Sequence, residues 1–379
     1  MDTKSFVGGI AQNSQLQGGL EELKKEILGT DACTGCGSCV GICPNIISIE
    51  DRFAAISNCR ISPGKCYLYC PRTSPFSQAA RSLAGDVGYR GPVGTYQEYC
   101  MARTVYSREG SSFQYGGVVS TLLVEALQEG LIDGAVVTQA STNLPSTATA
   151  LSKEDILKAA GSKFALAPTN KEVNRLTNDH ANRVGVVALP CQCTGLRKRQ
   201  LLEEKESAEG GRVTIVLGLF CTWALSQKGW RSLLHNHWGN ESINRMDLPP
   251  PPANVLEIAS GTRKVDVPLE EAKEFVRPGC GVCLDMTAEN ADISIGMVEG
   301  LREYNTVIVR TERGRALFEM AVKAGCLEKA PLDDERWHHL IEASLNKKKR
   351  AIANAEDRKE PLPYYERIIK LRESIERRE

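Results

Sequence analysis

The rhythm of apolar and polar positions changes twice along the chain. Residues 1–30 are polar except for LEELKKEIL (20–28), whose apolar positions recur at helical spacing and predict a short amphipathic helix. Residues 31–75 show neither helical nor strand periodicity and read as loop-like. GDVGYRGPVG, within 76–100, carries several glycines and reads as a linker. From 101 onward apolar runs and amphipathic runs alternate. GGVVSTLLVEAL (116–127) predicts a helix ended by Gly130, and IDGAVVTQA (132–140) a strand. ILKAAGSKFALAP (156–168) predicts a helix closing on a loop. RVGVVALP (183–190) and VTIVLGLFC (213–221) predict buried strands on either side of a charged helix, LRKRQLLEEKESA (196–208). The alternation implies an α/β fold, a mainly parallel sheet with flanking helices. After the surface loop PPPP (249–252), VDVPL, ADISIG and NTVIVRT predict short strands on a second, mixed layer. The tail from Asn346 is charged and helical, and its basic run NKKKR reads as a solvated helix face.

Charge excludes one class of partner. Lys+Arg and Asp+Glu are 47 each, so the chain lacks the basic surplus that nucleic acid binding needs. It also lacks a run of about 18 apolar residues, so no membrane span is expected. MDTKSFVGGIAQNSQ does not read as a signal peptide, and a cytoplasmic location is expected. Fourteen cysteines in a reducing compartment then point to metal or redox chemistry, not disulfides.

Seven of those cysteines fall between 33 and 70. CTGCGSCVGICP (33–44) is C-x2-C-x2-C-x3-C-P, the spacing of a ferredoxin-type [4Fe–4S] site. Cys33, Cys36 and Cys39 clasp one cubane, while Cys43, before proline, serves another. In NCRISPGKCYLYCPR (58–72) the returning cysteine is Cys70, followed by Pro71, and it completes the first cluster. That leaves Cys43, Cys59 and Cys66 for a second site, with Ser62 where another cysteine is usual. Three readings stay open there: a [3Fe–4S] cluster, a cubane with a different fourth ligand, or an empty site.

Four more cysteines have distinctive contexts: Cys191 in ALPCQ, Cys221 in GLFC, and Cys280 and Cys283 in GCGVC. Cys191 and Cys221 follow apolar strands, and the carboxyl ends of such strands line the ligand crevice of α/β sheets. With the C-x2-C pair they make a four-thiolate site, for a cubane or a structural zinc.

Residues 101–345 resemble the coenzyme F420 hydrogenase/dehydrogenase beta subunit family. The resemblance is carried by FQYGGVVSTLLVEALQEGLIDGAVV (113–137), KAAGSKFALAP (158–168), GVVALPCQCTGLRK (185–198), LGLFC (217–221), CGVCLDMTAENADISIG (280–296) and NTVIVRTERG (305–314). It implies a body that binds FAD and a [4Fe–4S] cluster, the cluster on Cys191, Cys221, Cys280 and Cys283. It implies FAD over Gln114, Gly116, Gly117, Val118, Ser120 and Thr121, with Lys163, Pro190 and Gln192 nearby. A glycine-led helix start offers N–H groups to a pyrophosphate, which agrees with that placement.

The organisation expected is an N-terminal helical extension (1–30), a ferredoxin-like α+β iron–sulfur module (31–75), a linker (76–100), the F420 hydrogenase beta-like body with its mixed sheet (101–345), and a charged helical tail (346–379). The function implied is that of an oxidoreductase subunit. It passes electrons between a small-molecule hydride carrier, F420 or similar, and a partner redox subunit of hydrogenase, formate dehydrogenase or heterodisulfide-reductase type. The rivals are a relay that moves single electrons between two proteins and a zinc-stapled binding protein. No side chain is assigned as acid or base, and the five histidines read as packing or surface residues.

Overall fold

The computed structural model describes residues 18–73, 91–106, 113–140, 144–176, 182–206, 212–243, 245–249 and 252–358. The N-terminal module begins with a helical turn, α1 (Leu20–Leu23), which runs into a π-helical turn at Lys24–Leu28. A hairpin follows, β1 (Ile46–Ile49) against β2 (Arg52–Ala55), and then α2 (Lys65–Leu68). Strand alternation sorts the hairpin's side chains. Ile46 and Phe53 pack with Leu20, Leu23, Ile27 and Tyr67, while Ile47, Ile49 and Ile56 are exposed on the opposite face.

The body starts at β3 (Glu98–Thr104), α3 (Val118–Gln128), β4 (Gly134–Gln139) and β5 (Ser146–Ala150). It continues through α4 (Lys153–Lys158), α5 (Thr169–Arg175), β6 (Val184–Ala188), α6 (Pro190–Glu206) and β7 (Val213–Leu219). The chain then leaves the main sheet. It forms α7 (Gln227–Leu233), a separate three-stranded antiparallel sheet of β8 (Arg245–Asp247), β9 (Val255–Ser260) and β10 (Arg263–Pro268), and α8 (Leu269–Glu274). It returns through α9 (Pro278–Gly281) to β11 (Ile293–Val298), β12 (Leu301–Val309), α10 (Glu312–Lys323), β13 (Leu327–Ala330) and α11 (Asp334–Glu356).

The main sheet has eight strands in the order β13-β3-β12-β11-β7-β6-β4-β5. Its central pairings, β11 with β7, β7 with β6 and β6 with β4, are parallel, and the outer ones antiparallel. The body is therefore a mixed α/β sheet, not a mainly parallel one. ADISIG and NTVIVRT are β11 and β12, at the heart of the main sheet and not on a second layer. Only VDVPL, in β10, belongs to the small sheet. The small sheet is inserted between β7 and β11, which hides from the sequence that β11 resumes where β7 stopped.

Both faces of the sheet are covered. Ala135, Val137, Ile215 and Leu217 pack with Leu122 and Leu123 of α3 and Phe318 of α10. Their neighbours Val136 and Val216 point the other way, toward Val173 of α5 and Leu196 of α6. A period of two with both sets apolar is what buries a strand on both faces.

The tail differs from the solvated helix expected of NKKKR. Residues 346–356 continue α11, which is capped by the Asp333 side chain accepting from the Arg336 N–H. Lys347 and Lys348 are buried with Ser344, Ala351, Ile352 and Ala355. Each ammonium is satisfied by carbonyl acceptors at the end of its stem: Cys221 and Asp285 for Lys347, Leu284 for Lys348. The part of the tail from 359 onward lies outside the described residues.

Candidate functional site

Two cavities lie side by side, each walled by four thiols. Cys33, Cys36, Cys39 and Cys70 line the first, together with Thr34, Gly35, Gly37 and Phe53. The 33–43 loop turns on left-handed glycines. Gly37 (φ 86°) presses so closely on α5 that a Cβ would sit 2.6 Å from the Lys171 backbone nitrogen. Two asparagines one turn apart on α5 hold the loop from below. Asn170 Nδ2 donates to Ser38 Oγ (2.8 Å), and Asn174 Nδ2 donates to the carbonyls of Gly37, Ser38 and Val40 (3.2, 3.1 and 2.7 Å). Lys198 Nζ, buried, donates to Cys70 O (2.6 Å) and Thr73 Oγ1 (2.9 Å).

Cys191, Cys221, Cys280 and Cys283 line the second hollow, with Thr34, Arg72, Leu166, Trp223, Arg277 and Lys347. Cys191 sits in the first turn of α6, just past β6, and Cys221 just past β7. β6 and β7 are adjacent and parallel, so their carboxyl ends deliver both thiols to one place. Cys280 lies on α9, and Cys283 closes the following turn.

Burial disfavours the thiolate form of several cysteines in both hollows. Burial, reinforced by the neighbouring thiols, pushes Cys39 and Cys191 far above the ordinary thiol value and Cys70 and Cys221 to about 12. Such thiols ionise only against a compensating cation. At Cys283 burial acts in the same direction, but the charges of Lys347 and Arg72 outweigh it and the pKa falls. Among the described residues, no three His, Cys, Asp or Glu side chains converge on a point that a single metal ion would occupy. Four thiols line each hollow, and in the first three of them come from the C-x2-C-x2-C run, a donor set that fits a cubane.

The two hollows share a wall, because Thr34 lines both. Arg277 locks them together, donating to Cys33 O (3.0 Å) and to the carbonyls of Thr34 and Asp51. Arg72 reaches the other way, from the N-terminal module to Gly279 O (2.7 Å).

The remaining ferredoxin-like thiols also lie together. Burial raises Cys66 to about 11, and the charges of Cys43 and Cys59 add to that rise. Ser62, at the position where a fourth cysteine is usual, accepts a hydrogen bond from the Gly18 N–H (3.1 Å).

The residues expected near FAD form a tight loop and helix start. Gln114 accepts from the Ser162 N–H (2.8 Å) and donates to Asp247 Oδ1 (3.1 Å), which also accepts from the Tyr115 hydroxyl. Gly117 (φ 70°) precedes α3, and the Val118 N–H donates to Asn305 Oδ1 (3.2 Å). Gly116 leaves no room for a Cβ, which would lie 2.5 Å from the Asn305 nitrogen. Val118 and Thr121 are fully buried, the Thr121 hydroxyl bonding Thr104 Oγ1 (2.8 Å), and Ser120 is nearly so. Lys163 Nζ caps α4, donating to the carbonyls of Ala159, Ala160 and Gly161, and burial lowers its pKa to about 8. Pro190 lines the second hollow, while Gln192 is buried and ties Leu189 N to Ala167 O. Asn170, Asn174, Lys198, Asp247, Arg277, Asn305 and Lys347 escaped sequence reasoning. Each acts through a partner distant in the chain, and only an i, i+4 asparagine pair in TNKEVN offered any signal.

The frame is thus an α/β protein with a mixed eight-stranded sheet, carrying two adjoining four-thiol hollows at its junction with a cysteine-rich N-terminal module. Two family models match it, both describing the beta chain of coenzyme F420 hydrogenase/dehydrogenase. The one for the N-terminal part of that chain matches residues 102–174, and the one for its C-terminal part matches residues 181–335. A coenzyme F420 hydrogenase subunit beta from Methanococcus voltae is 30% identical over 72% of this chain and 100% of its own length. Coenzyme F420-dependent sulfite reductase from Methanocaldococcus jannaschii is 30% identical over 90% of this chain, which spans about half (53%) of that relative's length. Among solved structures, a chain of the F420-reducing [NiFe] hydrogenase complex from Methanosarcina barkeri aligns with a TM-score of 0.65 and 29% identity, over 72% of this chain and 95% of that one. The chain belongs to the coenzyme F420 hydrogenase/dehydrogenase beta subunit family.

Proposed function

We propose that this chain is an electron-transfer iron–sulfur flavoprotein subunit. It would take electrons from a hydride carrier of the F420 type and pass them, through FAD and [4Fe–4S] clusters, to a partner redox enzyme, or run the reverse. The observation that carries this reading is Thr34, which walls both four-thiol hollows. Two redox groups held there would be separated by the thickness of one residue, as a relay requires.

The residues divide the work. Cys191, Cys221, Cys280 and Cys283 would hold the body cluster, and Cys33, Cys36, Cys39 and Cys70 the first N-terminal one. Arg277 and Arg72 fix the spacing between them by gripping backbone carbonyls across the junction. Cys43, Cys59 and Cys66 offer three thiols to a further, three-iron or incompletely ligated cluster, with the exposed Ile47, Ile49, Ile56 and Ile61 in the same module as the side offered to a partner subunit. Gln114, Gly116 and Gly117 would present backbone to the FAD pyrophosphate, their loop braced by Asp247 and Asn305. When bound, FAD supplies a hydride acceptor that releases electrons singly, and the clusters carry them one at a time.

The relatives' names support the F420 assignment. The cysteine spacing of the N-terminal module supports a multi-cluster route. The test is iron, sulfide and flavin content of the anaerobically purified chain, followed by reduction with F420H2. One flavin is expected, with about eight irons, or about eleven to twelve with the three-thiol site filled. Bleaching by F420H2 is expected. A chain holding flavin and iron that exchanges electrons with viologens but not with F420H2 or NAD(P)H would be a protein-to-protein relay instead.

A further inference from the structure

Among the described residues, Arg72, Arg277 and Lys347 are the basic side chains that line the hollow of the body, and Lys347 makes no contact of the kind by which the two arginines join the modules. Arg72 and Arg277 both span the junction. Lys347 comes from α11, 126 residues after Cys221. It is 2% exposed and lines the hollow beside Cys191, Cys221, Cys280 and Cys283. Its Nζ donates to Cys221 O (2.6 Å) and Asp285 O (2.7 Å), so it grips the two segments that bring in Cys221 and Cys283.

The contrast with its neighbour is informative. Lys348 is equally buried, but its ammonium pairs with the Glu289 carboxylate as well as with Leu284 O. The two hydrogen bonds of Lys347 go to neutral carbonyls. Burying an ammonium is costly unless an anion compensates it nearby. The anionic groups that Lys347 faces are the thiols of Cys283, Cys221 and Cys280 and, beside them, the Asp285 carboxylate.

We infer that Lys347 sets how readily the four-thiol site of the body takes up an electron, by holding a fixed positive charge in the wall of that site. This rests on the reading that the four thiols hold a cluster. Uptake of one electron, delivered by the bound hydride acceptor, adds one negative charge to the site. Lys347 gains neither electron nor proton in that step. Its charge favours the reduced form, and its two carbonyl contacts keep it in place in both forms.

The experiment is an EPR-monitored potentiometric titration of the full chain, comparing wild type with Lys347→Met, Lys347→Gln and Lys347→Arg. Lys347→Gln keeps a donor for the two carbonyls without the charge, so it separates electrostatics from a structural role and serves where Lys347→Met assembles poorly. One midpoint potential is expected to fall in the neutral variants, by about tenfold in the reduction equilibrium, ~59 mV for a one-electron couple. The N-terminal potentials stay fixed, and Lys347→Arg stays near wild type. Neutral variants that keep wild-type iron and all midpoint potentials overturn the inference. The Cys280→Ser/Cys283→Ser chain tests the underlying reading separately, since it should lose about four irons. If it keeps them all, the cluster reading fails and the inference with it. If it loses them while the neutral Lys347 variants leave every potential unmoved, only the inference fails.

Discussion

Gly279 lies against the backbone of Cys33: a methyl group there would sit 2.6 Å from the Cys33 carbonyl oxygen and 3.0 Å from that of Ala32. This contact brings the C-x2-C segment of the body up to the first N-terminal loop, and Thr34 is part of the wall that results. Gly279→Ala must push the two segments apart. An overpacked contact of this kind costs about 1–3 kcal/mol. Thermal denaturation should show a lowered Tm with iron content retained, and internal electron transfer after rapid reduction should slow. An unchanged Tm would mean that the module can shift freely on the body.

Ser62 stands where a fourth cysteine would complete the second N-terminal motif, yet its hydroxyl accepts the Gly18 N–H. Ser62→Ala should therefore leave iron per chain unchanged. It removes one hydrogen bond, worth about 0.5–1.5 kcal/mol. Iron loss in Ser62→Ala would instead identify the serine oxygen as a ligand.

Which thiols share a hollow was legible because ligand spacing is local. CTGCGSC and GCGVC each fold within one turn, and Cys191 and Cys221 follow strands whose apolar runs are unmistakable. What escaped depends on packing between distant segments. β11 and β12 read as a second layer because the inserted small sheet separates them from β7, their partner in the main sheet. NKKKR read as solvated because the carbonyl that accepts from Lys347 belongs to Asp285, 62 residues away. The braces of the glycine loop, Asp247 and Asn305, lie 133 and 187 residues from the groups they hold. No local pattern reports such acceptors.

Asp292 is fully buried, between β7 and β11. Its Oδ1 accepts from Arg197 (3.0 Å), Arg313 (2.7 Å) and Thr311 (2.8 Å), and its Oδ2 from the Val216 N–H (2.8 Å). It thereby ties α6, which carries Cys191, to the centre of the sheet. Asp292→Asn leaves Arg197 buried without its counter-charge and should cost about 3–5 kcal/mol in urea unfolding near neutrality. Burial alone would raise the pKa of Asp292, but Arg197 and Arg313 outweigh it and hold it below the ordinary 3.8. The folded state therefore binds its proton less readily than the unfolded state. Its contribution is complete above the ordinary value and is lost as pH falls through the folded one. The stability difference between wild type and Asp292→Asn should shrink correspondingly in acid.

Lys163 gives a signature of the same sign at alkaline pH. Burial lowers its pKa from the ordinary 10.5 to about 8, although three carbonyls accept from its ammonium. Between those values the unfolded chain binds more protons than the folded one, so stability rises with pH across that window. Lys163→Met cannot titrate. Subtracting its stability curve from that of the wild type cancels the tyrosines, thiols and other lysines and leaves this one group. The difference, measured on FAD-free protein, should favour the wild type increasingly from pH about 8 to 10.5. An FAD pyrophosphate beside Lys163 would supply an anion, raise the folded pKa toward its ordinary value and flatten the difference curve. A curve that keeps its slope in excess FAD would place the cofactor away from Lys163.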